Sequence, residues 1–104
     1  MTKEESAYHD ALRELGCIAC RIDGRGGVSA EIHHQRTGAG AGQKSPHLKA
    51  IPLCEAHHRG TKHPIVPSIH LAPNKFISEY GTEVELREMT QRLLKSTQFT
   101  SEDF

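Results

Sequence analysis

Three cysteines and a crowd of histidines carry most of the chemistry that can be read from these 104 residues. Cys17-x-x-Cys20 and Cys54-x-x-His57 are two pairs at metal-ligand spacing. Zinc takes four tetrahedral ligands, usually thiolate and imidazole. A tight knuckle supplies two of them. A helix supplies two more, because residues three apart share a face. The pairs are separated by 33 residues, so one ion held by all four would staple the N-terminal half to a short helix. All four positions are filled by protein, so a structural Zn2+ is expected. Three cysteines are too few, and odd in number, for a disulfide framework.

The histidines are doubled twice, in "EIHH" (Glu31–His34) and "CEAHHRG" (Cys54–Gly60). Neighbours on a helix point about 100° apart around its axis. If His57 faces the zinc, His58 faces elsewhere and is free for a second metal or a phosphate. His33 and His34 end a predicted strand, where successive side chains leave opposite faces, so they are expected to do different jobs. His47, His63 and His70 are possible additions to a second metal set. A strand, a loop and a short helix can hold one divalent ion, Mg2+ or Mn2+, or Zn2+ in the purified state. Such an ion neutralises a phosphate and stabilises a leaving oxygen, while a neutral histidine takes the proton from water. That combination cleaves phosphodiesters.

The elements that must position these groups are short. "TKEESAYHDALRELG" predicts a helix with Thr2 and Glu5 at capping-box spacing and an apolar stripe of Ala7, Tyr8, Ala11, Leu12 and Leu15. "VSAEIHH" alternates Val28, Ala30 and Ile32 and predicts a strand. "QRTGAGAGQKSPH" is a long Gly-rich loop. "LKAIPLC" returns to the core, and Pro52 argues against a central strand there. "EAHHRG" predicts a short helix ended by Gly60, and "NKFISEYG" another ended by Gly81. "TEVELREMTQRLLKS" predicts a third, capped by Thr82 with Glu85, with Val84, Met89 and Leu93 on one face and Leu86 near its edge. Residues 97–104 read as a loose tail. One α+β domain is expected across 1–104, with its core about 15–95.

The net charge is zero, but its distribution is uneven. Residues 33–75 hold six basic and one acidic side chain, and seven of the eight histidines. Both ends are acidic. A neutral chain can therefore present one positive face to a phosphate backbone, through Arg36, Lys44, Lys49, Arg59 and Lys62. No apolar run is long enough to span a membrane and no signal peptide is evident, so a reducing, cytoplasmic setting is expected. No small-molecule substrate is indicated.

"EIHHQRTG", the Gly-rich loop and "IPLCEAHH" resemble the HNH or His-Me finger endonucleases, built on a zinc-bearing, treble-clef-like ββα-metal core. "GAGQKSPHLKAIPLCEAHHRG" and "IH....KF...YG" (Ile69–Gly81) are closer to the phage recombination-enhancement nucleases called Ref, which act with RecA. The resemblance covers roughly residues 15 to 95. It implies His34 as general base, His33 as a metal ligand and His58 as the helix ligand of that metal. The asparagine landmark of the HNH group would fall at Lys49 and is absent. Its role of positioning the base or binding the metal is then expected of His47, and His63 or His70 are candidates to complete the site. The resemblance implies a metal-dependent DNA endonuclease acting in phage or prophage recombination on RecA-coated DNA. The alternative is a non-catalytic zinc module on the same fold that binds nucleic acid or protein.

Overall fold

A computed structural model describes residues 1–36, 46–60 and 66–97. The chain begins with helix α1 (Lys3–Leu15), whose capping box forms as its spacing predicts. The Thr2 hydroxyl accepts from the Glu5 amide, and the Glu5 carboxylate accepts from the Thr2 amide. Gly16 ends it at φ 85°, where a Cβ would stand 2.8 Å from the Val28 carbonyl oxygen. That close approach lets the Cys17 amide donate to the same carbonyl. The knuckle is a short helix, α2 (Ile18–Ile22), with Cys17 as its N-cap.

Strand β1 (Glu31–His34) pairs antiparallel with β2 (Ala50–Leu53). β1 is shorter than its alternation suggests, because Val28 bonds back to Cys17 rather than across to β2. Pro52 lies opposite Ile32, and a two-stranded sheet leaves each strand one free edge that needs no donor. A turn of 3-10 helix (Pro46–Leu48) leads into β2, and α3 (Glu55–His58) follows directly after Cys54. Helices α4 (Pro73–Tyr80) and α5 (Glu83–Thr97) complete the described chain. The architecture is small α+β, and no helix among the described residues is long and apolar enough to cross a membrane.

The hairpin separates two apolar clusters. Ile51 and Leu53 pack with the Cys17–Cys20 knuckle, Cys54, Ile69, Phe76 and Leu86. Ala50 packs with Tyr8, Leu12 and Leu15 of α1 and Leu94 of α5. Burying side chains of this size contributes about 1.5–3 kcal/mol each. The sequence-predicted face of α5 is corrected here. Its buried stripe is Glu83, Leu86, Thr90 and Leu94, with Val84, Met89 and Leu93 only partly covered. Two polar residues interrupt that stripe and hide it from an apolar count. Thr90 is satisfied by donating to the Leu86 carbonyl at 2.7 Å.

Helix α5 also ties the hairpin down by polar contacts. Arg87 donates to the Gln35 side chain at 3.0 Å, and the Gln91 amide donates to the Tyr8 hydroxyl and the Leu48 carbonyl. The Tyr8 hydroxyl in turn donates to the Ala50 carbonyl at 2.7 Å. The first and last helices are thus bolted to the end of the hairpin where His34 and Ala50 pair.

Candidate functional site

Cys17, Cys20, Cys54 and His57 converge, all four buried. The knuckle brings the first two together. Cys54, as N-cap of α3, and His57 three residues on share one side of the helix. The Nδ1 of His57 lies 3.6, 3.5 and 3.3 Å from the sulfurs of Cys17, Cys20 and Cys54, and the Cys20 and Cys54 sulfurs are 3.7 Å apart. A zinc tetrahedron with ordinary bond lengths has S···N edges of about 3.6 Å and S···S edges of about 3.8 Å. The cluster therefore fits a tetrahedral metal such as zinc. Burial pushes the Cys17 and Cys20 thiols up and the His57 imidazole down, and a bound cation would reverse the penalty on the thiolates.

Behind this cluster lies a support that sequence reading missed. The Nε2 of His57 is 3.0 Å from the Tyr80 hydroxyl, which donates to Asp23 at 2.8 Å. The hydroxyl oxygen is left to accept from Nε2–H. That tautomer keeps the Nδ1 lone pair on the sulfur side, as a ligand needs. Tyr80 and Asp23 lie 23 and 34 residues from His57 in sequence, so no local spacing announces them.

Among the described residues, the remaining histidines separate into two groups on opposite faces of β1. His33, His58 and His70 form one, with a ring nitrogen of each within 4.8 Å of the others. His33 and His58 have ring centroids 5.1 Å apart, and His58 and His70 are at 4.8 Å. His58 is turned out of the cysteine cluster by its one-residue step along α3. His70 is placed by the turn that follows Gly60. There the Ile69 amide donates to the His57 carbonyl and the Leu71 amide to the Ser68 hydroxyl. Gly60, at φ 71°, stands where a Cβ would lie 2.8 Å from that hydroxyl oxygen.

Two carboxylates orient these rings. Nε2 of His33 is 2.5 Å from Glu83, and Nδ1 of His58 is 2.8 Å from Glu31. A carboxylate only accepts, so each ring donates through that nitrogen and keeps its other nitrogen as a ligand. This is the outer-shell pattern of metal-binding histidines. Glu83 also accepts from the Arg36 amide. His33 is 2% and Glu83 4% exposed, so their pairing is sheltered from water. Burial holds His33 below the ordinary imidazole range, opposed by the Glu83 bond. The hydrogen bond from His58, with help from Arg59, holds Glu31 low.

His34 faces the other way and is exposed. Its Nε2 is 3.2 Å from the Nδ1 of His47, and His9 of α1 joins them, again within 4.8 Å. His9 donates through Nε2 to the His47 carbonyl at 2.7 Å. His47 is thus not brought to His33 and His58, as expected of a possible ligand there. The 3-10 turn sets it against the opposite face. Burial, then His9 and His47, pushes the His34 imidazole down.

The expected phosphate contacts also divide. Arg36 is exposed and close enough to His70 to depress its imidazole, after burial. Arg59 is half-exposed, with its guanidinium paired to Glu31 and, at 2.9 Å, to Glu55. Lys49 is only 9% exposed, and its carbonyl accepts from the Gln35 amide, so little of it is open to a phosphate backbone. Lys44, Lys62 and His63 lie outside the described residues, as does the tail from 98 onward.

A family model described as recombination enhancement, RecA-dependent nuclease matches residues 1–95. The match takes in α1 as well as both histidine clusters, and it supports a nuclease role in recombination. With 95 of 104 residues matched, the chain belongs to the family of recombination-enhancement, RecA-dependent nucleases.

Proposed function

We propose that the protein is a metal-dependent DNA endonuclease of the HNH type. Its ββα core is the hairpin β1–β2 with α3, stapled by Zn2+ on Cys17, Cys20, Cys54 and His57. The observation that carries the reading is the His33–His58–His70 cluster with its two orienting carboxylates, Glu83 and Glu31. His33, His58 and His70 would hold a divalent ion, Mg2+ or Mn2+ with water at its other positions, or Zn2+ in the purified state. Bound there, it supplies charge neutralisation at the phosphate and stabilises the leaving oxygen.

The other roles fall to the chain itself. His34 is the general base: its lowered pKa leaves it neutral near pH 7, able to take a proton from the attacking water. It is the last residue of β1, next to His33. Its exposed ring leaves the face opposite the buried His33, so the phosphate would lie across the end of β1, with His34 on one side and the His58–His70 edge of the ion's cluster on the other. Arg36, exposed two residues on, grips a neighbouring phosphate, with Arg59 at the edge of the cluster. The substrate is DNA, presented on a RecA filament.

The test is cleavage of single-stranded and duplex DNA with Mg2+ or Mn2+, with and without a RecA filament, beside His34→Ala and His58→Ala. Cleavage by the wild type that both variants lose supports the reading. Wild type and variants leaving every substrate equally intact would make the chain a non-catalytic zinc module.

A further inference from the structure

The cluster on the α1-facing side of β1 is not needed to hold the catalytic ion, yet it has the makings of a metal site. His9, His34 and His47 come from α1, the end of β1 and the 3-10 turn. Each offers one ring nitrogen, and those three nitrogens lie within 4.8 Å of one another. Nitrogen ligands on a tetrahedral zinc stand about 3.3 Å apart. The His34–His47 pair is already at 3.2 Å. The three rings are mutually edge-on, with centroids 5.3 to 5.8 Å apart, so they converge without stacking. The His9 bond to the His47 carbonyl fixes one of these rings and links α1 to the turn.

The ligand chemistry is selective. Three imidazoles favour zinc, copper and nickel over Mg2+, which prefers oxygen ligands and keeps its waters, and that preference holds at the His33 cluster as well. The opposite cluster carries carboxylates in its outer shell. Here the contacts that define the group are imidazole and backbone carbonyl.

We propose that His9, His34 and His47 form a second, solvent-facing site for a borderline transition-metal ion of the zinc class, and that its occupancy withdraws His34 from proton transfer. Excess zinc then inhibits cleavage that Mg2+ supports. The binding half stands on geometry alone. The inhibitory half rests on His34 acting as the base.

The binding test titrates Co2+ into the full chain already loaded with structural zinc, for wild type, His9→Gln and His70→Ala. Glutamine at position 9 keeps a donor toward the His47 carbonyl. Cobalt on imidazoles alone gives weak visible bands, whereas replacement at the cysteine cluster adds strong thiolate charge transfer. Wild type is expected to take up an imidazole-bound ion that His9→Gln weakens by about tenfold or more, at least the loss an outer-shell change causes. His70→Ala should leave that ion in place. Read in the His70→Ala background, where the opposite cluster is broken, an imidazole-bound ion equally tight with and without His9→Gln, or none while His9 is present, overturns the site. His47→Gln, outside α1, checks the same loss should His9→Gln be unstable. In cleavage assays with Mg2+, whatever rate His9→Gln retains should escape suppression by a few equivalents of Zn2+ that suppress the wild type. Binding without suppression overturns the inhibitory half. A wild type that never cleaves sinks the nuclease reading and the inhibition with it, and leaves the binding result to decide the site.

Discussion

Glu83, the first residue of α5, closes on His33 at 2.5 Å across 50 residues of sequence. The pair is buried, and the same carboxylate receives the Arg36 amide. One side chain therefore sets the ring of a metal-ligand candidate and the course of the chain just beyond β1. Glu83→Gln should weaken divalent-metal binding at the His33 cluster by roughly ten- to a hundred-fold, as loss of an orienting carboxylate does. Metal titration with the structural zinc in place checks this. Affinity within a factor of two of wild type would leave Glu83 a packing residue.

Tyr80 is expected to act on the cysteine cluster in a similar way. Tyr80→Phe keeps the ring against Phe76 and His57 but removes the hydroxyl that receives Nε2–H. Competition with a chelator should show zinc held about ten- to a hundred-fold less tightly, with the helical content intact while zinc remains bound. Complete removal of zinc should unfold much of the domain, because binding energy in such sites is folding energy. Circular dichroism before and after chelation reads both effects.

The histidine environments set the direction of the pH response. His33 is held low in the fold by burial, with Glu83 opposing, and returns to about 6.5 on unfolding. As pH falls through that value the unfolded chain takes up the proton first, so stability present above it is lost below. Glu31, also held low, acts in the same direction in the carboxylate range. Urea unfolding at pH 7.5, 6.5 and 5.5 should show stability declining on acidification. His33→Gln should decline less steeply. Parallel declines would assign the response to other groups.

Salt dependence separates the arginines. A contact to one phosphate contributes about 0.9 to the slope of log affinity against log salt on duplex DNA, or about 0.7 on a single strand. Arg36→Ala should reduce the slope by about that amount. Arg59→Ala should reduce it less, because Glu31 and Glu55 already oppose its charge. Binding measured between 50 and 200 mM salt distinguishes the two.

How much of this was legible depended on the range over which residues meet. The cysteine cluster was readable because its ligands come as two local pairs, each three residues apart. The separation of His57 from His58, and of His33 from His34, followed from helix and strand periodicity. His9 stood apart from the other histidines in an acidic helix, and no spacing tied it to His34. Glu83 carried no signal of its own at the start of α5, and Tyr80 stood out only as part of the motif "IH....KF...YG", with no chemical role attached. Their partners are 50 and 23 residues away in sequence, a separation at which only the packed core brings groups together. Of the two roles open to His47, a ligand beside His33 or a partner of His34, the structure places it at His34, a choice that no local spacing could make.

The four residues of β1 work as a reading frame. Alternate positions send Glu31 and His33 to one chemistry and Ile32 and His34 to another. Inserting or deleting one residue between Val28 and Glu31, if the hairpin paired one step out of phase, would exchange the two histidines and aim Glu31 into the apolar contact with α1. A two-residue change would restore each side chain to its face. Variation in length just before β1 should therefore be tolerated in even steps and rejected in odd ones.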